Sequence, residues 1–166
     1  MPSTPAGWAL LLVVILFFAF LLFKAGMNPL PGRRATPGAR EKVREAKREA
    51  HRAKGKPLDK ARAWRRAAEL ALSELQRPSL AANYALRALR AHPDDVAAIG
   101  LLVDSLTQVR RFRTLERMLW RRLKGDPGPG YDRAYDALLA LYEGPLRRRE
   151  RALALRAMRE RSSQPS

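Results

Sequence analysis

The sequence contains no cysteine and only two histidines among its 166 residues. The absence of cysteine excludes disulfide bonds, thiolate metal sites, a cysteine nucleophile and acylation at cysteine. His51 and His92 lie far apart, and neither has an acidic residue at a spacing typical of metal ligands. The chain also lacks a nucleophile elbow or any other ordered catalytic signature. The sequence therefore predicts a protein that is not an enzyme and that needs neither a metal nor a cofactor.

Lysine and arginine are missing before the one long apolar run, which covers residues 8–23. The uncharged segment that includes this run, from Ala6 to Phe23, has about 18 residues. As a helix it would rise about 27 Å, close to the hydrocarbon thickness of a bilayer. A cleaved signal peptide would need a basic start and small residues at a cleavage site, and neither feature is convincing here. We therefore expect residues 1–26 to form an uncleaved, single-pass transmembrane anchor.

Positive charge follows the apolar run, beginning with Lys24, Arg33 and Arg34. By the positive-inside rule this asymmetry predicts a cytoplasmic C-terminal body, with a periplasmic body as the alternative. The abundance of arginine and alanine is typical of a GC-rich bacterial genome, so the expected location is the bacterial inner membrane. The net charge of +17 lies mainly on the flanks of the chain, because the central repeats are almost neutral.

Residues 27–56 are predicted to form a proline- and glycine-containing linker and then a basic juxtamembrane helix. The helix has a narrow apolar face of Val43 and alanines, so we expect it to be largely solvated. Its arginines predict attraction to anionic lipid headgroups, with a solvated spacer as the alternative. Nucleic-acid binding is not expected, because no base-reading fold accompanies the charge. The predicted lipid- or anion-binding residues are Lys24, Arg33, Arg34, Arg40, Arg44, Arg48 and Arg52.

An internal repeat with a period of 34 residues lies at the centre of the chain. Ala81, Ala85, Ala88 and Pro93 are followed 34 residues later by Leu115, Leu119, Arg122 and Pro127. A period of 34 that contains a helix, a turn, a second helix and a closing proline is the signature of tetratricopeptide repeats. The apolar spacing between Ile99 and Leu106 independently predicts an amphipathic helix.

Residues 61–144 thus resemble the tetratricopeptide repeat family. The resemblance implies an all-α fold, in which about three antiparallel helix pairs form an α-solenoid. This repeat domain would cover residues 57–161, including a C-terminal capping helix, and a disordered tail would follow at 162–166. We expect the chain to turn back near Pro78, Gln108 and Gly144.

Local features of the repeats give further expectations. Asp94 and Asp95 precede a predicted helix and are expected to cap it rather than to act as an acid–base pair. Residues 125–130 lack the lysine and hydroxyl residue of a phosphate loop and predict a turn. Arg122 replaces the alanine usual in the family, which argues against close helix packing there. The closing helix is expected to turn Leu146, Leu153, Leu155 and Met158 towards the core.

In the tetratricopeptide family the first helix of each pair lines a concave groove that holds a peptide or helix of a partner. Members that clamp a C-terminal carboxylate carry lysine and asparagine at two groove positions. This chain has Arg66 and Leu70 there in one unit and Gly100 and Asp104 in the next. Carboxylate clamping is therefore not expected, and the mixed groove suits an amphipathic helix. The groove residues implied by the resemblance are Ala63, Arg66, Leu70, Ser73, Glu74, Ala97, Gly100, Asp104, Thr107 and Gln108.

Together these features predict a membrane-anchored adaptor, which binds a membrane-associated partner protein through the groove of its repeats. Tethering would raise its effective concentration for that partner. One alternative is a structural accessory subunit of a larger membrane complex. Another is an assembly factor that faces the periplasm.

Overall fold

The computed structural model describes residues 37–53 and 55–163, without the side chains of residues 162 and 163. Within these residues every regular secondary-structure element is an α-helix, as predicted. The helices are α1 (Ala39–Arg52), α2 (Pro57–Ser73), α3 (Pro78–Ala91), α4 (Val96–Gln108), α5 (Phe112–Leu123), α6 (Pro129–Glu143) and α7 (Arg149–Ser163).

The predicted anchor, most of the linker and the side chains of Lys24, Arg33 and Arg34 lie outside the described residues. Among the helices that are described, none combines the length and the apolar character needed to cross a membrane. Helix α7 continues to Ser163, so it enters the segment that the sequence predicted to be a disordered tail.

The helices turn back at the three predicted places, between α2 and α3, between α4 and α5, and between α6 and α7. Each helix from α1 to α6 contacts the next, and α2–α4 and α4–α6 are also in contact. This stacking of helix pairs fits an α-solenoid.

The three turns within the pairs share one backbone geometry. Each contains a non-glycine residue in the left-handed region, Gln76 (φ 52°), Arg110 (φ 53°) or Arg147 (φ 49°). Just after it, an amide donates to a carbonyl in the last turn of the preceding helix, as Arg77 N does to Ala71 O at 2.9 Å. Such bonds satisfy carbonyls that a helix end would otherwise leave free. The repeat is therefore present in the backbone as well as in the sequence.

The two central pairs pack differently. Helices α2 and α3 meet through fully buried alanines, which allow the two backbones to lie close together along their length. Helices α4 and α5 lie close over a shorter stretch, because leucine and arginine stand at the equivalent positions of α5. The reduced packing expected at Arg122 is thus observed. This reduced packing leaves an apolar cavity of about 320 Å³ between α3 and α5, and residues of α4 also line it.

The C-terminal half of the core contains a buried polar network. The Trp120 Nε1 donates to the Tyr142 hydroxyl at 2.8 Å, and that hydroxyl donates to Glu116 Oε1 at 2.8 Å. Arg148 and Arg151 also donate to Glu116 Oε1, at 3.3 and 2.8 Å. Because its charge is compensated by two guanidinium groups, Glu116 is tolerated in a buried position.

The turns around α4 confirm two predictions in part. Of the two expected capping residues, only Asp95 is the N-cap of α4, and its side chain accepts a hydrogen bond from Ala98 N at 3.0 Å. Residues 125–128 lie in the connection between α5 and α6, whereas Pro129 and Gly130 of the predicted turn already belong to α6. A Cβ at Gly130 would lie 2.8 Å from Asp94 Cα, so only glycine allows the start of α6 to pack against the turn before α4.

Two expectations about helix faces are only partly right. Ten of the 14 residues of the juxtamembrane helix α1 are exposed, as expected, but its apolar face of Ala39, Val43, Ala46 and Ala50 is buried. An alanine-rich face buries little area per residue, but α2 also presents alanines, so the two helices approach closely.

In α7 the buried residues are Ala152 and Leu155, whereas Leu153 and Met158 are 62% and 47% exposed. The spacing i, i+3 places Ala152 and Leu155 on one side of the helix, and Leu153 and Met158 extend towards solvent.

Candidate partner-binding face

The first half of the predicted groove lies on α2, and helix α1 covers it. Ala63 is buried, Leu70 and Glu74 are half-buried, and Arg66 and Ser73 are exposed. Ala46 and Ala50 of α1 belong to the same apolar cluster as Ala63 and Ala67. Two ion pairs also connect the helices: Lys42 Nζ lies 3.0 Å from Glu74 Oε1, and Arg66 Nη1 lies 3.9 Å from Glu49 Oε2. In this structure Ala63 is therefore not accessible to a partner.

The second half of the predicted groove lies on α4 and is open. Ala97, Asp104, Thr107 and Gln108 are exposed, and Gly100 is half-buried. Their spacing places them on one face of the helix. We call these five residues the α4 face.

The α4 face and the covered face of α2 are the same surface in two successive repeats. Each of the five positions on α2 has its counterpart 34 residues later on α4, for example Ala63 and Ala97 or Ser73 and Thr107. In α2 this surface is covered by an amphipathic helix that presents Val43 and three alanines. In α4 no other helix of the described residues covers the equivalent surface.

The shape and charge of the α4 face favour binding of a helix whose contact face carries small side chains. Ala97 and Gly100 leave the surface shallow, so that another backbone can approach closely. Asp104 has no ion pair within residues 37–53 and 55–163, which leaves one carboxylate for a basic group of a partner. Arg133 of α6 lies beside the face, since a Cβ at Gly100 would be 4.0 Å from its Nη2. The face can thus hold a helix by close contact and by one charge of each sign.

Comparison with protein families, with curated proteins and with solved structures found no match in any of the three. The relation to tetratricopeptide repeats therefore stays a prediction. It depends on the 34-residue period and on the prolines near the repeat ends.

The predicted lipid-binding residues of α1, namely Arg40, Arg44, Arg48 and Arg52, are all exposed. Arg44 Nη1 lies 3.8 Å from Glu41 Oε2. Arg48 and Arg52 share a cavity with Arg66 and with the carboxylates of Glu45 and Glu49. Acidic groups therefore lie among these arginines and reduce the positive potential that a lipid headgroup would meet.

Sequence reasoning missed an aromatic cluster that joins α1, α2 and α3. Trp64 is 3% exposed, and its ring stacks on Tyr84 with a centroid separation of 5.6 Å. The rings of His51 and Trp64 are nearly perpendicular, and their centroids lie 5.4 Å apart. The Arg87 guanidinium lies 4.7 Å from the centroid of the Trp64 ring. The signal in the sequence was Trp64 itself, which stands one position before the large residue of the repeat pattern.

Within the described residues, no three histidine, aspartate or glutamate side chains cluster as they would around a metal ion. Asp94, at the turn before α4, forms an ion pair with Arg122. The hydrogen bond that Arg122 donates lowers the pKa of the Asp94 carboxyl below its ordinary value.

This ion pair predicts a pH dependence of stability. A carboxyl whose pKa is lowered by folding stabilises the protein above its unfolded pKa, and this stability is lost as the pH falls through the folded pKa. We expect Asp94→Asn to make the free energy of unfolding less dependent on pH below about pH 4. Urea denaturation of the full chain in nonionic detergent at a series of pH values measures this. Asp104→Asn is the matched control and should keep the wild-type slope; equal slopes for both variants would refute the role of Asp94.

Proposed function

We propose that this chain is a membrane-anchored adaptor of the tetratricopeptide type, which binds an amphipathic helix of a partner protein on the α4 face. The observation that carries the proposal is the pairing of α1 with α2. The same surface occurs twice in the repeats, and in its first copy it packs against an amphipathic helix. The second copy, on α4, is exposed and has the same helical spacing. A helix from another chain is the ligand that this geometry suits best.

The pairing also indicates the chemistry of the partner. The buried side chains that α1 presents to α2 are no larger than valine, and its charged residues reach Glu74 and Arg66 at the edges. By analogy, the partner helix carries alanine or other small residues on its contact face. It also carries a basic residue opposite Asp104 and an acidic residue towards Arg133.

Membrane anchoring is supported by the uncharged run at residues 8–23, and a cytoplasmic position of the repeats by the basic residues that follow it. With the repeats close to the bilayer, a membrane-associated partner would meet the α4 face at a high effective concentration. The proposal assigns no catalytic step to the chain.

The test is to fill the α4 face with a large side chain. A Cβ at position 100 would meet no atom closer than Arg133 Nη2, at 4.0 Å, and the residue lies within a helix, so the backbone accepts a side chain there. A thermal unfolding midpoint close to that of the wild type verifies that Gly100→Trp is folded. We expect the amount of partner that co-purifies with the full chain from detergent extracts to fall by roughly tenfold or more, since a blocked central contact removes most of an interface's energy.

Arg117→Trp, on the exposed side of α5, is the matched control and should retain the partner. Unchanged co-purification with Gly100→Trp would refute binding at the α4 face. Co-purification at high salt distinguishes the adaptor hypothesis from the alternative of a structural subunit. An adaptor should lose its partners at high salt, whereas a stoichiometric complex that survives high salt indicates a subunit.

A further inference from the structure

Five basic side chains line one cavity, of about 510 Å³, where the ends of α1, α2 and α3 meet. No aspartate or glutamate lines it. None of the five forms an ion pair with a carboxylate within residues 37–53 and 55–163. The cavity therefore concentrates positive charge that the described protein does not neutralise. We call it the basic cavity, and its basic side chains are His51, Lys56, Lys60, Arg87 and Arg90.

Buried aromatic packing holds part of this cavity in place. Trp64 lines it, with the Arg87 guanidinium over the indole and the His51 ring nearly perpendicular to it. Stacking on Tyr84 fixes the indole from α3. The His51 and Arg87 side chains are thus positioned before any ligand arrives, which lowers the entropic cost of binding.

The first turn of α2 adds a further attraction for anions. Lys56 is the N-cap of α2, and no side chain caps the amide groups of that turn. Lys56 and Pro57 both line the basic cavity. Free amide groups and the positive end of the helix dipole favour an oxyanion at this position, in addition to the side-chain cations.

A second cavity provides an internal comparison. It has about the same volume, 530 Å³, and is lined by Arg48, Arg52 and Arg66 together with Glu45 and Glu49. Its charges compensate one another, and they include two of the arginines that the sequence predicted to bind lipid. The basic cavity has a similar size but no carboxylate, so an anion should prefer it.

We propose that the basic cavity binds a phosphate-bearing ligand, whose phosphate group is held between Lys56, Lys60 and Arg90. Lysine and arginine are the side chains that hold phosphate oxygens, and arginine can do so through two parallel hydrogen bonds. The phosphate can belong to a soluble polyphosphate or to the headgroup of an anionic lipid. This site is separate from the α4 face and does not depend on the proposed function.

The test uses the full chain in a nonionic detergent and titrates it with pyrophosphate at constant ionic strength. Binding is measured by calorimetry and by the ring resonances of the two histidines. His51 lines the basic cavity, whereas His92 lies in a different cavity and serves as the internal control. We expect the His51 resonances to shift and those of His92 to stay in place. A parallel experiment places the chain in nanodiscs of phosphatidylcholine with or without phosphatidylglycerol.

The variant Lys60→Gln/Arg90→Gln should weaken binding by roughly tenfold or more, because each basic group contributes about fivefold. The matched control is Arg48→Gln/Arg52→Gln, which removes the same charge from the compensated cavity and should bind as the wild type does. A His51 shift with pyrophosphate supports a soluble ligand, and a shift only in phosphatidylglycerol nanodiscs supports a lipid. If neither condition shifts His51, or if both double variants weaken binding equally, the proposal is overturned.

Discussion

Replacing Trp64 by alanine is expected to lower the free energy of unfolding by about 3 to 5 kcal/mol. Trp64 is 3% exposed and contacts His51 of α1 and both Tyr84 and Arg87 of α3. Its neighbours on α2 and α3 are largely alanines, which are too small to fill the space that the indole would leave. The loss therefore includes both the transfer free energy of the ring and the cost of a cavity.

Chemical denaturation of the full chain in detergent measures the loss. The same variant should also loosen α1, because the ring contact to His51 is gone, and the exposed arginines of α1 should then be cut earlier by trypsin. Trp64→Phe is the control, since it keeps an aromatic ring against Tyr84 and should cost less than half as much. An alanine variant that is destabilised by less than about 1 kcal/mol would contradict the role assigned to Trp64.

Replacing Leu119 by alanine is expected to lower the free energy of unfolding by about 2 to 5 kcal/mol. Leu119 is 2% exposed, belongs to the main apolar cluster and lines the cavity between α3 and α5. Because that cavity already exists, the neighbouring side chains cannot close the additional space without moving α5. We place the expected loss in the upper half of the range for this reason.

Its counterpart in the preceding repeat offers a reciprocal variant. Ala85 stands 34 residues before Leu119, is fully buried, and lies where α2 and α3 are closest. Ala85→Leu should also destabilise the protein, by about 1 to 3 kcal/mol, because the larger side chain forces the helices apart. If leucine were accepted at position 85 without loss, the close alanine packing of the first pair would not be a requirement of the fold.

The positions of the helices follow from local signals in the sequence. Proline begins α2, α3 and α6, where its missing amide hydrogen costs nothing. Asp95 identifies the start of α4 through its cap, and the 34-residue period places the turns. The left-handed residues in those turns could not be predicted from residue type, because Gln76, Arg110 and Arg147 are not the glycine or asparagine that usually adopt this conformation.

The packing of α1 and α7 could not be predicted, for a reason that is specific to alanine. An apolar face of alanines gives a weak signal, because each methyl group contributes little hydrophobicity. Two such faces can nevertheless pack closely, as Ala46 and Ala50 do in the cluster with Ala63. In α7 the same weak signal at Ala152 was outweighed in the sequence by Leu153 and Met158, which the structure leaves exposed.

The candidate site could also be predicted only in part from the sequence. The 34-residue period placed the groove residues on equivalent faces of α2 and α4. It could not indicate that another helix of the same chain covers the face of α2. The basic cavity was also beyond prediction, because its basic side chains come from the ends of three helices and meet only when α1 and α3 both pack on α2.

Photo-crosslinking from two equivalent positions tests the central claim most directly. A photoreactive phenylalanine derivative is placed at Thr107 on the open face of α4, or at Ser73, its counterpart at the edge of the covered face of α2. After irradiation of cells, the account predicts a discrete adduct with one partner protein from position 107, lost in the Gly100→Trp background, and no such adduct from position 73. Adducts of equal yield from both positions, or an adduct from position 107 that persists with Gly100→Trp, would contradict it.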